Sequence, residues 1–108
     1  AAFIVAGAIV ITAFISPFRA DRETARGKIG KWFHEVFIRA DLEVCEARDP
    51  KGLYTRARAG EIENFTGISS PYEMPLNPDL VLNTGDEDFD ACLAQLRDYA
   101  LIAFTHKN

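Results

Sequence analysis

A chain of 108 residues, 48% hydrophobic and 26% charged with a net charge of −4, makes one globular domain at most and excludes a disordered tail. The charge is uneven: residues 16–58 hold 10 of the 12 bases against 7 acids, and residues 59–108 hold 2 bases against 9 acids. That balance excludes a general nucleic-acid surface and favours a small polyanion, such as a nucleotide, held locally by the basic half.

The first 15 residues, AAFIVAGAIVITAFI, lack a basic leader and fall short of the ~20 apolar residues needed to cross a bilayer, so they predict core, with no signal or membrane anchor. Within them residues 8–14 form a β-branched apolar run without polar alternation, the pattern of a strand buried on both faces of a parallel sheet. Ser16-Pro17 ends that strand, and RADRETARGKIG follows as a helix with Gly27 and Gly30 near its end.

A second strand is predicted over 34–39, then a helix LEVCEAR capped by Asp41, with Leu42 and Cys45 on its buried face. Asp49-Pro50 breaks this helix, and residues 51–59 form another, ended by Gly60. Residues 60–78, with Pro71, Pro75 and Pro78, read as loop. A third strand over 79–84 leads through Gly85 to a helix starting at Asp86, Glu87 and Asp88 and running to about Phe104, with Phe89, Cys92, Leu93, Leu96, Ala100 and Phe104 on one packed face.

Strands alternating with helices predict a parallel sheet whose ligands sit beyond the strands' carboxyl ends, so the loops at Ser16 and Thr84 face the site. Cys45 and Cys92 are too few and too far apart for a disulfide framework or a zinc site; they read as core thiols of a reducing, cytoplasmic compartment. His34 and His106 stand in no catalytic spacing and read as structural or exposed.

Three stretches carry a resemblance: TAFISPFRADR at 12–22, LEVCEARDPKGLYTRARAGEIENFTGISSPYE at 42–73, and NPDLVLNTG at 77–85. In order and spacing they resemble the adenylylsulfate kinase family. The resemblance implies the three-layer α/β/α fold of P-loop nucleotide kinases, with residues 1–108 as the C-terminal portion of one domain and a lid over about 48–73. It implies transfer of the ATP γ-phosphate, with Mg2+, to the 3'-hydroxyl of adenosine 5'-phosphosulfate (APS), giving PAPS for sulfate assimilation. It also implies a homodimer, free-standing or joined to a sulfate adenylyltransferase.

Carried over by position, Ile15 and Ser16 line the APS site, and Ser16 is either a phosphoenzyme serine or, the reading preferred here, a substrate-binding hydroxyl. Lys51 is implied to touch the sulfonucleotide, and Asn64 with Phe65 to close on its adenine, with Phe65 stacking on the base; a core phenylalanine is the alternative, which the setting of Phe65 between Asn64 and Thr66 in a Gly- and Pro-rich loop disfavours. Arg19 and Arg22 are substrate-side candidates that read equally as surface charges. Arg48, Lys51, Arg56 and Arg58 resemble a cationic lid, although a solvated helix face gives the same pattern. Arg48 is the candidate for stacking on the ATP base and Arg58 for phosphate, with Thr84 and Glu87 completing the nucleotide side.

The sequence departs from the family in three places. No GK[ST] occurs, so the phosphate loop that cradles ATP is absent and the 108 residues by themselves are expected to be inactive and not to fold alone. Arg39-Ala40-Asp41 stands where the family commonly reads Asp, then Thr or Ala, then Pro, and Thr55 replaces a usual lysine. Two other functions stay open: a non-catalytic domain that senses PAPS beside a sulfate adenylyltransferase, and a remnant without a ligand.

Overall fold

A computed structural model of the chain describes residues 7–104. His106 and the first six residues of the apolar leader therefore lie outside the described residues.

Helix α1 (Arg19–Ile29) comes first and is followed by a single 3-10 turn, Gly30–Trp32. No residue of α1 is buried, so its own side chains give it little packing to stand on. Its N-terminus is instead secured from a distance: the Arg19 amide donates to Glu73 Oε1 at 2.8 Å, placing a carboxylate against the positive end of the helix. Gly30, at φ 73, ends the helix in a conformation that side-chain-bearing residues rarely adopt.

Two short strands follow, β1 (Val36–Arg39) and β2 (Leu80–Asn83). They pair in parallel with Val36 opposite Leu80 and Arg39 opposite Asn83. Between them come α2 (Leu42–Arg48) and α3 (Leu53–Arg58), and the long α4 (Phe89–Ala103) follows β2. The order β1, α2, α3, β2, α4 with a parallel pair makes this an α/β chain, as alternation of the sequence pattern predicts.

Each face of the pair is covered differently. Alternation puts Val36, Ile38, Leu80 and Leu82 on one face. Helix α4 packs against β2, and Leu82 is 3% exposed. Phe37 lies on the other face and stacks on Tyr72, with ring centroids 6.3 Å apart. His34 ties the approach to β1 to α4: its Nδ1 lies 2.5 Å from the Tyr99 hydroxyl and its ring meets Phe104 edge-on at 4.8 Å.

Asp79 starts the pair. Its Oδ2 accepts from the Glu35 amide at 2.7 Å and from Arg26 Nη2 at 2.9 Å. Partial burial pushes the Asp79 carboxyl up, but these two donors outweigh it and hold the group below its ordinary range.

Four expectations are corrected. Residues 8–14 form no strand: the sheet has two strands among the described residues and offers this segment no ladder, so Ile11 and Phe14 stand 86% and 81% exposed. Asp41 occupies the position before α2, but its carboxylate makes no cap hydrogen bond: the Val44 amide, the third of the helix and the one a cap side chain takes at α4, donates to the Asp41 carbonyl instead. Helix α4 starts at Phe89, three residues late, where Asp88 caps it by accepting from the Ala91 amide at 2.8 Å. Its apolar stripe is only half covered: Cys92 is buried, while Phe89 and Leu93 are exposed, because a two-stranded sheet is narrower than the stripe.

The buried hydrophobic core among the described residues is correspondingly thin, consisting of Ala57, Leu82 and Cys92. The chain exposes 8408 Å2, against about 6,000 Å2 for a closed globule of the same mass.

Candidate functional site

The sequence-predicted residues fall into three groups. In the first, Ser16 and the start of α1 meet the far end of the 48–73 segment. The Glu73 amide donates to Pro17 O at 2.8 Å, Arg19 Nε donates to Met74 O at 2.8 Å, and Arg22 Nη1 donates to Ser16 O at 2.5 Å. Arg22 Nη2 also donates to the Glu73 carbonyl. Arg22 Nε pairs with Glu35 Oε2 at 3.2 Å, and the two side chains are 10% and 14% exposed. Ser16 itself sits at φ 43, in the left-handed region that a non-glycine residue seldom occupies, and Ile15 beside it is exposed.

The second group lies at the carboxyl ends of β1 and β2, where ligands of open parallel sheets bind. A notch there is lined by Arg39, Ala40, Asp41, Val44, Asn83, Gly85 and Asp86. Thr84 borders it: its Oγ1 donates to Arg39 O at 3.0 Å and its carbonyl accepts from Arg48 Nη2 at 2.7 Å. Gly85 lies against Ala40, where a Cβ would stand 3.5 Å from Ala40 Cα, an ordinary van der Waals contact. The Glu87 carboxylate is held by Gln95 Nε2 at 2.5 Å.

The third group is the segment between these anchors. Asp49 organises its first turn by accepting from the Tyr54 amide at 3.0 Å, the Thr55 amide at 3.1 Å and Thr55 Oγ1 at 2.9 Å. The Tyr54 amide first, and then the Thr55 donors, hold the Asp49 carboxyl below its usual range. Thr55, which stands where a lysine is usual in the resemblance, thus secures the start of α3.

Phe65 is half-buried, with its ring edge-on to Tyr54 at 4.9 Å. Its amide donates to Ser69 Oγ at 2.8 Å, and its carbonyl accepts from the amides of Ile68, Ser69 and Ser70. Asn64 precedes it at φ 52. Arg58 grips Glu46 with two bonds of 2.6 and 3.2 Å, and that grip draws the Glu46 carboxyl down. Arg56 pairs with Glu61 at 3.1 Å. Lys51 is exposed, and its ammonium forms no ion pair among the described residues.

The structure therefore joins Ser16 to Arg22 and Arg48 to Thr84, and it leaves Lys51, Asn64 and Arg58 outside both groups. Sequence reasoning missed Glu73, Tyr72 and Asp49 as organising residues. Asp49 had a signal, an acid four residues before a helix; Glu73 and Tyr72 act through partners more than 30 residues away, which no local pattern reveals. Among the described residues no group of three His, Cys, Asp or Glu side chains could hold a metal ion. No helix among them is long and apolar enough to cross a membrane.

A family model described as adenylylsulphate kinase matches residues 1–83. An adenylyl-sulfate kinase of Prochlorococcus marinus is 57% identical over 95 residues, covering 87% of this chain and 47% of its own length. A probable adenylyl-sulfate kinase of Bacillus subtilis is 56% identical over 98 residues, covering 90% of this chain and 50% of its own length. The chain spans about half the length of the curated relatives it matches. Among solved structures, the Mycobacterium tuberculosis APS kinase CysC, in complex with AMPPNP and APS, is 46% identical with a TM-score of 0.70, over 79% of this chain and 50% of that one.

Proposed function

The chain belongs to the adenylylsulphate kinase family, and from that premise we propose that the whole protein phosphorylates the 3'-hydroxyl of APS with ATP, producing PAPS for sulfate assimilation. The observation that carries the proposal is the 46% identity and similar fold shared with a protein solved with both an ATP analogue and APS.

In this reading residues 48–73 form the lid, and its two ends are where the structure ties it down: Arg48 to Thr84 and Glu73 to Pro17. Ile15, Ser16, Lys51, Asn64 and Phe65 face the sulfonucleotide, with Arg19 and Arg22 behind them. Arg48, Arg58, Thr84 and Glu87 belong to the ATP side. A lid of this kind positions two anionic substrates and spreads the charge of the transferring phosphoryl group. For Arg58 to reach phosphate it must release Glu46, an exchange between two anionic partners of one guanidinium.

Mg2+ bound with ATP would neutralise phosphate charge in the reaction. The described residues supply no cluster of three His, Cys, Asp or Glu side chains for it. A homodimer, alone or joined to a sulfate adenylyltransferase, and a cytoplasmic setting complete the proposal; the two free thiols, Cys45 and Cys92, fit a reducing compartment.

The test is to incubate the whole protein with ATP, Mg2+ and APS and to follow ADP together with the 3'-phosphorylated product by anion-exchange chromatography. Equimolar ADP and product are expected. Binding of PAPS without any ADP formation would move the protein to the sensing function instead. Failure of the 108 residues alone to turn over is expected from the missing phosphate loop; turnover by them would refute that part.

A further inference from the structure

One guanidinium links the two segments on which the proposed substrate site depends. Arg22 donates from Nη1 to Ser16 O at 2.5 Å, donates from Nη2 to Glu73 O, and pairs through Nε with Glu35 at 3.2 Å. The Tyr72 ring centroid lies 5.8 Å from its central carbon. All three of its nitrogens are engaged inside the protein, and the side chain is 10% exposed. Two N–H groups remain, one on each Nη, and at 10% exposure they have little access to an anionic ligand. The two acceptors are backbone carbonyls, and their positions govern where the Ser16 hydroxyl stands and where the 48–73 segment ends. Ser16 is held at φ 43, which its surroundings must enforce because serine does not prefer it.

We infer that Arg22 is a positioning residue, which locks the Ser16 turn and the Glu73 end of the lid into one unit and acts on the sulfonucleotide only through them. The inference rests on the proposed role of Ser16 in APS binding. Glu35 orients the guanidinium through Nε, and Tyr72 closes over it while stacking on Phe37 of β1. The turn, the lid end and the sheet are thereby joined at a single side chain.

Arg22→Lys in the whole protein tests this, because a single ammonium keeps the charge but cannot span Ser16, Glu73 and Glu35 together. The APS KM should rise at least about tenfold, as expected when a substrate-binding turn shifts by a fraction of an ångström. The ATP KM should change less than twofold. A lower melting temperature with both KM values unchanged would overturn the inference and leave Arg22 a purely structural tie.

Glu35→Gln separates positioning from direct contact by sign. Glutamine keeps an acceptor but not the ion pair, and the weakened Nε anchor raises the APS KM if Arg22 positions the turn, whereas removal of a neighbouring negative charge lowers it if Arg22 touches the anion itself. Should Arg22→Lys fail to fold, the sign of the Glu35→Gln effect decides alone. If the unaltered protein binds APS without turnover, calorimetric Kd values for APS replace KM in both comparisons. If it does not bind APS at all, the proposed function fails and this inference falls with it.

Discussion

Phe65→Ala is the substitution that asks most of the substrate assignment. A base stacked on an aromatic ring is worth about 1–3 kcal/mol, which corresponds to a rise in APS KM of roughly 5- to 150-fold. The structure adds a separate cost, because the Phe65 ring packs edge-on against Tyr54 at 4.9 Å and such a pair contributes about 0.5–1.5 kcal/mol beyond simple burial. The alanine variant therefore loses both terms, and Phe65→Leu separates them: leucine refills the space beside Tyr54 but has no π-face for adenine. Initial rates are to be measured by coupled ADP release at saturating ATP with APS varied, alongside thermal unfolding. Both variants should show a raised APS KM, and Phe65→Leu should lose less of the melting temperature. If Phe65→Leu keeps the APS KM of the unaltered protein while Phe65→Ala only melts earlier, the ring is a packing residue and its assignment to the base is refuted.

Further outcomes follow from single contacts in the whole protein. Ser16→Ala should lower kcat/KM for APS by roughly 10- to 150-fold, the effect of losing one hydrogen bond to a charged group, yet leave measurable turnover; complete loss would instead favour a phosphoenzyme. Leu82→Ala opens a cavity at a residue 3% exposed and should cost about 2–3 kcal/mol, near the low end for buried leucines because the neighbouring Ile38 is exposed and can shift; urea unfolding reads this, and no change in midpoint would contradict the packing of α4 on β2. Asp49 has a folded pKa held below the ordinary aspartate value of 3.8, so its stabilisation is present above that value and is lost as pH falls through the lower folded value. The melting-temperature gap between Asp49→Ala and the unaltered protein should accordingly be widest near pH 7 and close on acidification below about 4; a gap that widens in acid would reverse the sign of this account.

Local chemistry was readable wherever the cause and the effect lie within a few residues. Strand β1, strand β2 and helices α1, α2 and α3 were anticipated to within about three residues, because apolar runs, Pro17, Gly30 and Gly60 act on their immediate neighbours. Asp88, read as part of the start of α4, instead caps the helix from just outside it. Family membership was also present in the primary chain, since long identical stretches need no coordinates to compare.

What required the tertiary structure is everything that depends on a distant partner. Residues 8–14 have the composition of a buried strand, yet a strand exists only where a ladder receives its amides and carbonyls, and the two-stranded sheet provides none. Arg22 and Arg19 read equally as substrate-side residues and as surface charges until the carbonyls of Glu73 and Met74, more than 50 residues away, supplied acceptors for their guanidinium groups. Arg58 likewise spends its fork on Glu46. Charge and hydrophobicity are properties a sequence displays directly, whereas which charge meets which, and which apolar face is covered, are settled by chain closure over long loops.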